Sequence, residues 1–209
     1  MAMAAGRLAR GALVSNFKRG IILDAAREVF EAGGLDGASL RAIAAKAGYT
    51  PAALYFHFDS REAIYAELLM NSLQSLRARV ESALRANARP AANLRAAAMA
   101  FFSFYAENPR DLDLGFYLFR GGMRPKGLGE ARDKALNGEL ALALAPISAS
   151  ARGLGASKRE ADLLTLDLFA HASGLLLLLH TGRIRMFSAS APDLMARYID
   201  ERIKFLERT

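Results

Sequence analysis

Cysteine is absent from all 209 residues, which excludes disulfides, thiolate metal sites and a cysteine nucleophile together. The absence also fits a reducing cytoplasm. Histidine is nearly as scarce, with only His57, His171 and His180. The last two share one predicted helix about 180° apart around its axis, so they cannot grip one metal. No Glu-x-x-His pair, no GxxxxGK[ST] loop and no GxSxG elbow occurs. No catalytic residue, metal site or cofactor is therefore expected. Strand-type alternation and internal repeats are missing too, so the expected fold class is all-α. No clean run of about 20 apolar residues is present, because the most apolar stretch, 163–180, contains Asp167, His171 and Ser173. A membrane partner is not expected.

Acidic residues are missing from two further places. The first nineteen residues carry Arg7, Arg10, Lys18 and Arg19 without a carboxylate, and their apolar stretch is too short for a secretory signal. Residues 1–17 are read as a flexible basic segment, with a basic arm lying along DNA as the alternative. Residues 39–58 (SLRAIAAKAGYTPAALYFHF) also lack any acid while containing Arg41 and Lys46, as suits a surface that lies on phosphates. The net charge of +7 and a pI near 10.0 point the same way, but the excess is spread along the chain and only supports the argument.

What that segment does contain is a helix, a turn and a second helix. Leu40, Ile43, Ala44 and Ala47 recur at three- and four-residue spacing, as on a one-sided helix. Ser39 is placed to cap its first turn and Gly48 to end it in the left-handed conformation. Thr50 then caps a new helix whose first position is Pro51, where the missing N–H costs nothing. Two helices separated by Gly48, Tyr49 and Thr50 cross steeply, in the helix-turn-helix manner. Pro51, Ala52 and Ala53 are small enough to let the backbone approach a groove, while Tyr49, Thr50, Tyr55 and His57 surround that turn with groups able to hold phosphate oxygens.

These residues, with Ile22, Ala25, Ala26, Phe30 and Gly33 or Gly34 before them and Leu54, Tyr55, Phe58 and Leu68 after, resemble the DNA-binding domain of the TetR family of transcriptional regulators over residues 21–69. Arg61 departs from the lysine common in the family, although either cation can hold a phosphate. The resemblance implies a homodimer, double-stranded operator DNA and a small effector. The DNA-binding set is Ser39, Arg41, Lys46, Tyr49, Thr50, Pro51, Ala52, Ala53, Tyr55, His57 and Arg61. Since Pro51, Ala52 and Ala53 carry no donor or acceptor, bases would be read through methyl contacts, the tyrosines and DNA shape.

Beyond residue 62 the chain reads as helices near 61–87, 91–107, 109–121, 129–151, 157–183 and 192–208. Domains are drawn at 18–62 for DNA binding and at 63–209 for effector binding and dimerisation. Leu94, Ala97, Ala98, Phe101, Phe102, Phe104 and Tyr105 share one arc of about 160°. With Phe116 and Tyr117 they form either an ordinary core or a pocket for a small hydrophobic or aromatic effector. Phe101, Tyr105, Phe116, Tyr117 and His171 are its candidate residues. The helix over 163–184 is apolar almost all round and needs cover on every side, which a second subunit would supply. Leu176, Leu179, Tyr198, Arg202 and Phe205 are the candidate interface, in a four-helix bundle about a two-fold axis. The reading is a ligand-responsive repressor, with a nonspecific DNA-binding protein and a helical enzyme as the alternatives.

Overall fold

The structure is a computed structural model that describes residues 2–86, 88–115 and 127–208, with the side chains of 2–12 and 34–37 left aside. Its elements are helices α1 (Ala2–Gly37), α2 (Leu40–Ala47), α3 (Pro51–Tyr55), α4 (Arg61–Ala83), α5 (Pro90–Glu107), α6 (Pro109–Gly115), α7 (Glu130–Gly153), α8 (Lys158–His180) and α9 (Ala191–Leu206). A 3₁₀ turn at Arg183–Phe187 joins the last two. No strand occurs among the described residues, and the fold is all-α.

The first helix begins before residue 18: α1 is helical from Ala2 onward. Ala, Leu, Met and Arg dominate that stretch and all favour helix, so the first turns extend the amphipathic helix that follows.

The chain divides into two compact units, Met1–Met70 with Leu114–Asp133, and Asn71–Asp113 with Lys134–Thr209. In the first, α2 packs on α1 and α3. Ile22, Ala26, Phe30, Ile43, Ala44, Leu54, Phe58, Ile64 and Tyr65 are buried there. Tyr65 sets its ring edge-on to Phe30 at 5.0 Å and donates a hydrogen bond from its hydroxyl to the Leu114 carbonyl at 2.8 Å. Each buried Ile, Leu or Phe stabilises by about 1.5–3 kcal/mol.

In the second unit α9 packs against α5 and α8, and α5 also meets α8. The whole predicted arc of α5, from Leu94 through Tyr105, is buried. Pro146 lies inside α7 without breaking it. Helix α8 opens with a capping box in which Ser157 accepts from the Glu160 N–H and Glu160 accepts from the Ser157 N–H. Helix α8 meets the length and composition of a membrane span, as a core helix of this kind also does, and it packs against α5 and α9.

Candidate nucleic-acid interface

The local chemistry read for residues 39–58 is in place. Ser39 is extended (φ −122°) and its Oγ accepts from the Ala42 N–H at 3.1 Å. Gly48 ends α2 at φ 72°, a left-handed conformation that any side chain would strain. The Tyr49 N–H then closes on the Ala44 carbonyl at 2.9 Å. Two residues on, Thr50 Oγ1 accepts from the Ala53 N–H at 3.2 Å, with Pro51 at the first position of α3. Each cap is worth about 1 kcal/mol. Ile43, Ala44 and Leu54 anchor the two helices with essentially no exposure, so the turn between them has no freedom to slide.

That anchoring decides what is presented outward. Arg41, Lys46, Thr50, Pro51, Ala52 and Tyr55 are exposed, and Tyr49, Ala53 and His57 are half-buried. Ser39 is exposed but its hydroxyl is occupied as a cap. Lys46 is paired with Glu28 of α1 at 2.6 Å, an exposed pair that a phosphate could displace at little cost. Arg61, the expected phosphate anchor, also has partners within the chain. It is half-buried, its Nη1 donates to the Ala38 carbonyl at 3.1 Å and its Nε donates to Glu62 at 2.8 Å. The guanidinium thereby ties the start of α4 to the residue before α2. Burial would raise the Glu62 carboxyl's pKa, but the Arg61 hydrogen bond and charge outweigh it and hold Glu62 below its usual range.

Two residues of this surface escaped the sequence reading. Arg19, grouped there with the basic N-terminus, donates from Nη1 to the His57 carbonyl, pairs through Nη2 with Glu67 and lies 4.2 Å over the Phe58 ring. Its spacing to Ile22, Leu23, Ala26 and Phe30 places it on the buried face of α1, a signal present in the pattern. Phe56, directly after α3, is 89% exposed, while Phe58 two residues later is buried.

The effector candidates separate. Phe101 and Tyr105 are buried and meet edge-on at 5.3 Å, and Phe101 also contacts Phe169 at 5.6 Å. Burial, helped by Asp111, pushes the Tyr105 phenol well above its usual range. Phe116 and Tyr117 lie outside the described residues. His171 is not with Phe101 and Tyr105 in these contacts: its ring stacks on Tyr198 of α9 at 3.8 Å and 12°. Burial lowers its pKa, Asp167 acts against that and Arg202 adds to it.

The interface candidates separate too. Leu176, a seam candidate, is 1% exposed and faces the interior of the chain itself, which leaves it no surface to offer a second subunit. The outward face of α8 is instead Leu163, Leu166 and Leu177, with Leu179 half-buried and Phe205 of α9 exposed. Between them Tyr198 donates to Asp167 at 2.6 Å, and Arg202 sits 3.9 Å from the same carboxylate and 5.0 Å over the Tyr198 ring. A groove of about 580 Å³ runs beside this cluster, lined by Leu163, Leu164, Asp167, Arg202, Phe205 and Leu206 among others.

Comparison with known proteins bears on this geometry. Residues 22–68 match the family model described as bacterial regulatory proteins, tetR family. FasR, an HTH-type transcriptional activator from Mycolicibacterium smegmatis, is 36% identical over 99 residues, 47% of this chain and 45% of FasR. KstR2, an HTH-type transcriptional repressor from Mycobacterium tuberculosis, is 37% identical over 87 residues, 42% of this chain and 44% of KstR2. The match thus spans under half the length of either relative. FadR from Bacillus subtilis, solved with stearoyl-CoA, has the same fold at a TM-score of 0.62 and 17% identity, over 89% of this chain and 96% of FadR.

Proposed function

We propose that this chain, which belongs to the tetR family of bacterial regulatory proteins, is a cytoplasmic, homodimeric transcriptional regulator that a small apolar molecule releases from its operator. The observation that carries the reading is the rigidly capped α2–turn–α3 unit, which holds Arg41, Lys46, Thr50, Pro51, Ala52 and Tyr55 outward. Residues 18–62 read DNA in this scheme, and residues 63–209 bind effector and partner.

A groove-reading helix of five residues is too short to bind by itself, so two copies are needed. In a two-fold dimer the two copies of α3 enter successive major grooves roughly 34–36 Å apart. The exposed leucines of α8 with Phe205 supply the dimer face. Tyr55 and the N-terminus of α3 hold phosphates, while Ala52 and Ala53 approach the bases. Phe101 and Tyr105 mark the effector region. Stearoyl-CoA, whose acyl chain supplies the apolar group, is the first effector to test, because FadR, of the same fold, was solved with it. Since the effector favours a dimer with wrongly spaced heads, bound DNA must weaken effector binding by the same factor.

Electrophoretic mobility shift with tiled duplexes from upstream of its own gene, with and without stearoyl-CoA, tests the proposal. One fragment should bind far more tightly than a scrambled duplex at equal salt. Equal affinity for all duplexes would make the chain a nonspecific binder, and no affinity for any would end the DNA-binding reading.

A further inference from the structure

We infer a second small-molecule site, separate from the effector region of Phe101 and Tyr105: the groove beside α8 and α9 takes an apolar monocarboxylic acid. Its carboxylate lies on Arg202 and its hydrocarbon part on the leucines and Phe205.

The groove, of about 580 Å³, lies between the α7–α8 connection, α8 and α9, and neither Phe101 nor Tyr105 lines it. Small-molecule sites measure about 300–1,000 Å³ and are mainly apolar with a few polar groups, which this one matches. Leu154, Leu163, Leu164, Phe205 and Leu206 make the apolar walls, and Glu160, Asp167 and Arg202 are the charged groups. Both acids are engaged. Glu160 accepts from the Ser157 N–H at 2.8 Å, and Asp167 accepts from the Tyr198 hydroxyl at 2.6 Å. Arg202 is served less well: its Nη1 lies 3.9 Å from Asp167, beyond hydrogen-bond length, and its buried Nε has no acceptor among the described residues. A charged donor buried without a partner is costly, so what the groove lacks is an acceptor. A carboxylate supplies one, because its two oxygens match the fork of a guanidinium. A second carboxylate on the same ligand would meet Glu160 or Asp167, which limits it to one. The remainder of the acid leaves water by covering the leucines. Leu163 and Phe205 also belong to the face given above to a second copy, which is therefore the rival occupant. Covered by a helical face alone, a hollow of this size would lose packing contacts on one side, whereas a small acid fills it.

The test is isothermal titration of the full chain with octanoate, with octanol as the uncharged control. Octanoate should bind wild type about tenfold more tightly than octanol, and Arg202→Gln should abolish that preference. Leu164→Glu, which sets a carboxylate against the ligand's own and leaves Arg202 in place, should weaken octanoate about tenfold and keeps the question open to refutation if Arg202→Gln does not fold. Phe101→Ala should leave octanoate binding as in wild type. Equal affinity for octanoate and octanol, or wild-type octanoate affinity in both groove variants, overturns the inference. Loss of octanoate binding in Phe101→Ala with retention in Arg202→Gln would put the acid in the effector region and also overturns it. So does a wild type that binds no octanoate while light scattering shows Arg202→Gln turning a dimer into monomers, since the guanidinium then serves a second copy. None of these outcomes touches the DNA-binding reading.

Discussion

Removing the Arg19 guanidinium with Arg19→Ala should loosen the DNA-reading unit from within. Three interactions are lost together: a charged hydrogen bond to the His57 carbonyl, an ion pair with Glu67 and a cation–π contact 4.2 Å over Phe58. A hydrogen bond to a charged group contributes about 1.5–3 kcal/mol, a partly exposed ion pair about 0–1 and an exposed cation–π contact about 0.5–1. The three share one side chain and do not simply add, so roughly 2–4 kcal/mol is expected. For a chain of this length that corresponds to a fall in Tm of roughly 4–16 °C. Thermal melts by circular dichroism measure the first effect, and anisotropy against duplex DNA measures the second. If Arg19 acts by positioning the turn after α3, DNA affinity falls but the salt slope does not, because no phosphate contact has gone. If Arg19 is instead part of a basic arm on the DNA backbone, stability stays unchanged and the slope falls by about 1. A melting temperature within one degree of wild type, with that shallower slope, would refute the reasoning from the structure (a shift that small falls below the roughly 2–4 °C per kcal/mol expected).

The α8 surface gives a paired prediction: Leu166→Glu, at an exposed position, should yield folded monomers, whereas Leu176→Glu, at a position 1% exposed, should unfold the chain. Light scattering that finds a folded dimer in Leu166→Glu would remove α8 from the interface. For His171, burial depresses the folded pKa below its ordinary value of 6.5, so folding favours the neutral ring. Its stability is full above pH 6.5 and is lost as the pH falls from there through the depressed folded value. His171→Phe should keep the stack on Tyr198 and flatten this acid limb in melts taken across pH; an unchanged limb would exclude His171 as its origin.

Local chemistry alone determined the α2–turn–α3 unit. Ser39, Gly48, Thr50 and Pro51 act on backbone groups within a few residues of themselves, so their effect is written in sequence order. The buried arc of α5 was equally legible, because alternating apolar and small residues at helical spacing name one face. Periodicity carries no such information in α8. A helix apolar all round has no preferred face, and only packing against α5 and α9 decides that Leu176 turns inward while Leu163, Leu166 and Leu177 turn outward. The same limit applies to charged side chains. Arg19, Arg61 and His171 each had a plausible partner class in the sequence, phosphate for the arginines and a ligand for the histidine. Each meets a group distant in the chain that the sequence did not name: the His57 carbonyl, the Ala38 carbonyl and the Tyr198 ring. Long side chains reach whatever the fold brings within a few ångströms, and that neighbourhood exists only once the helices have packed.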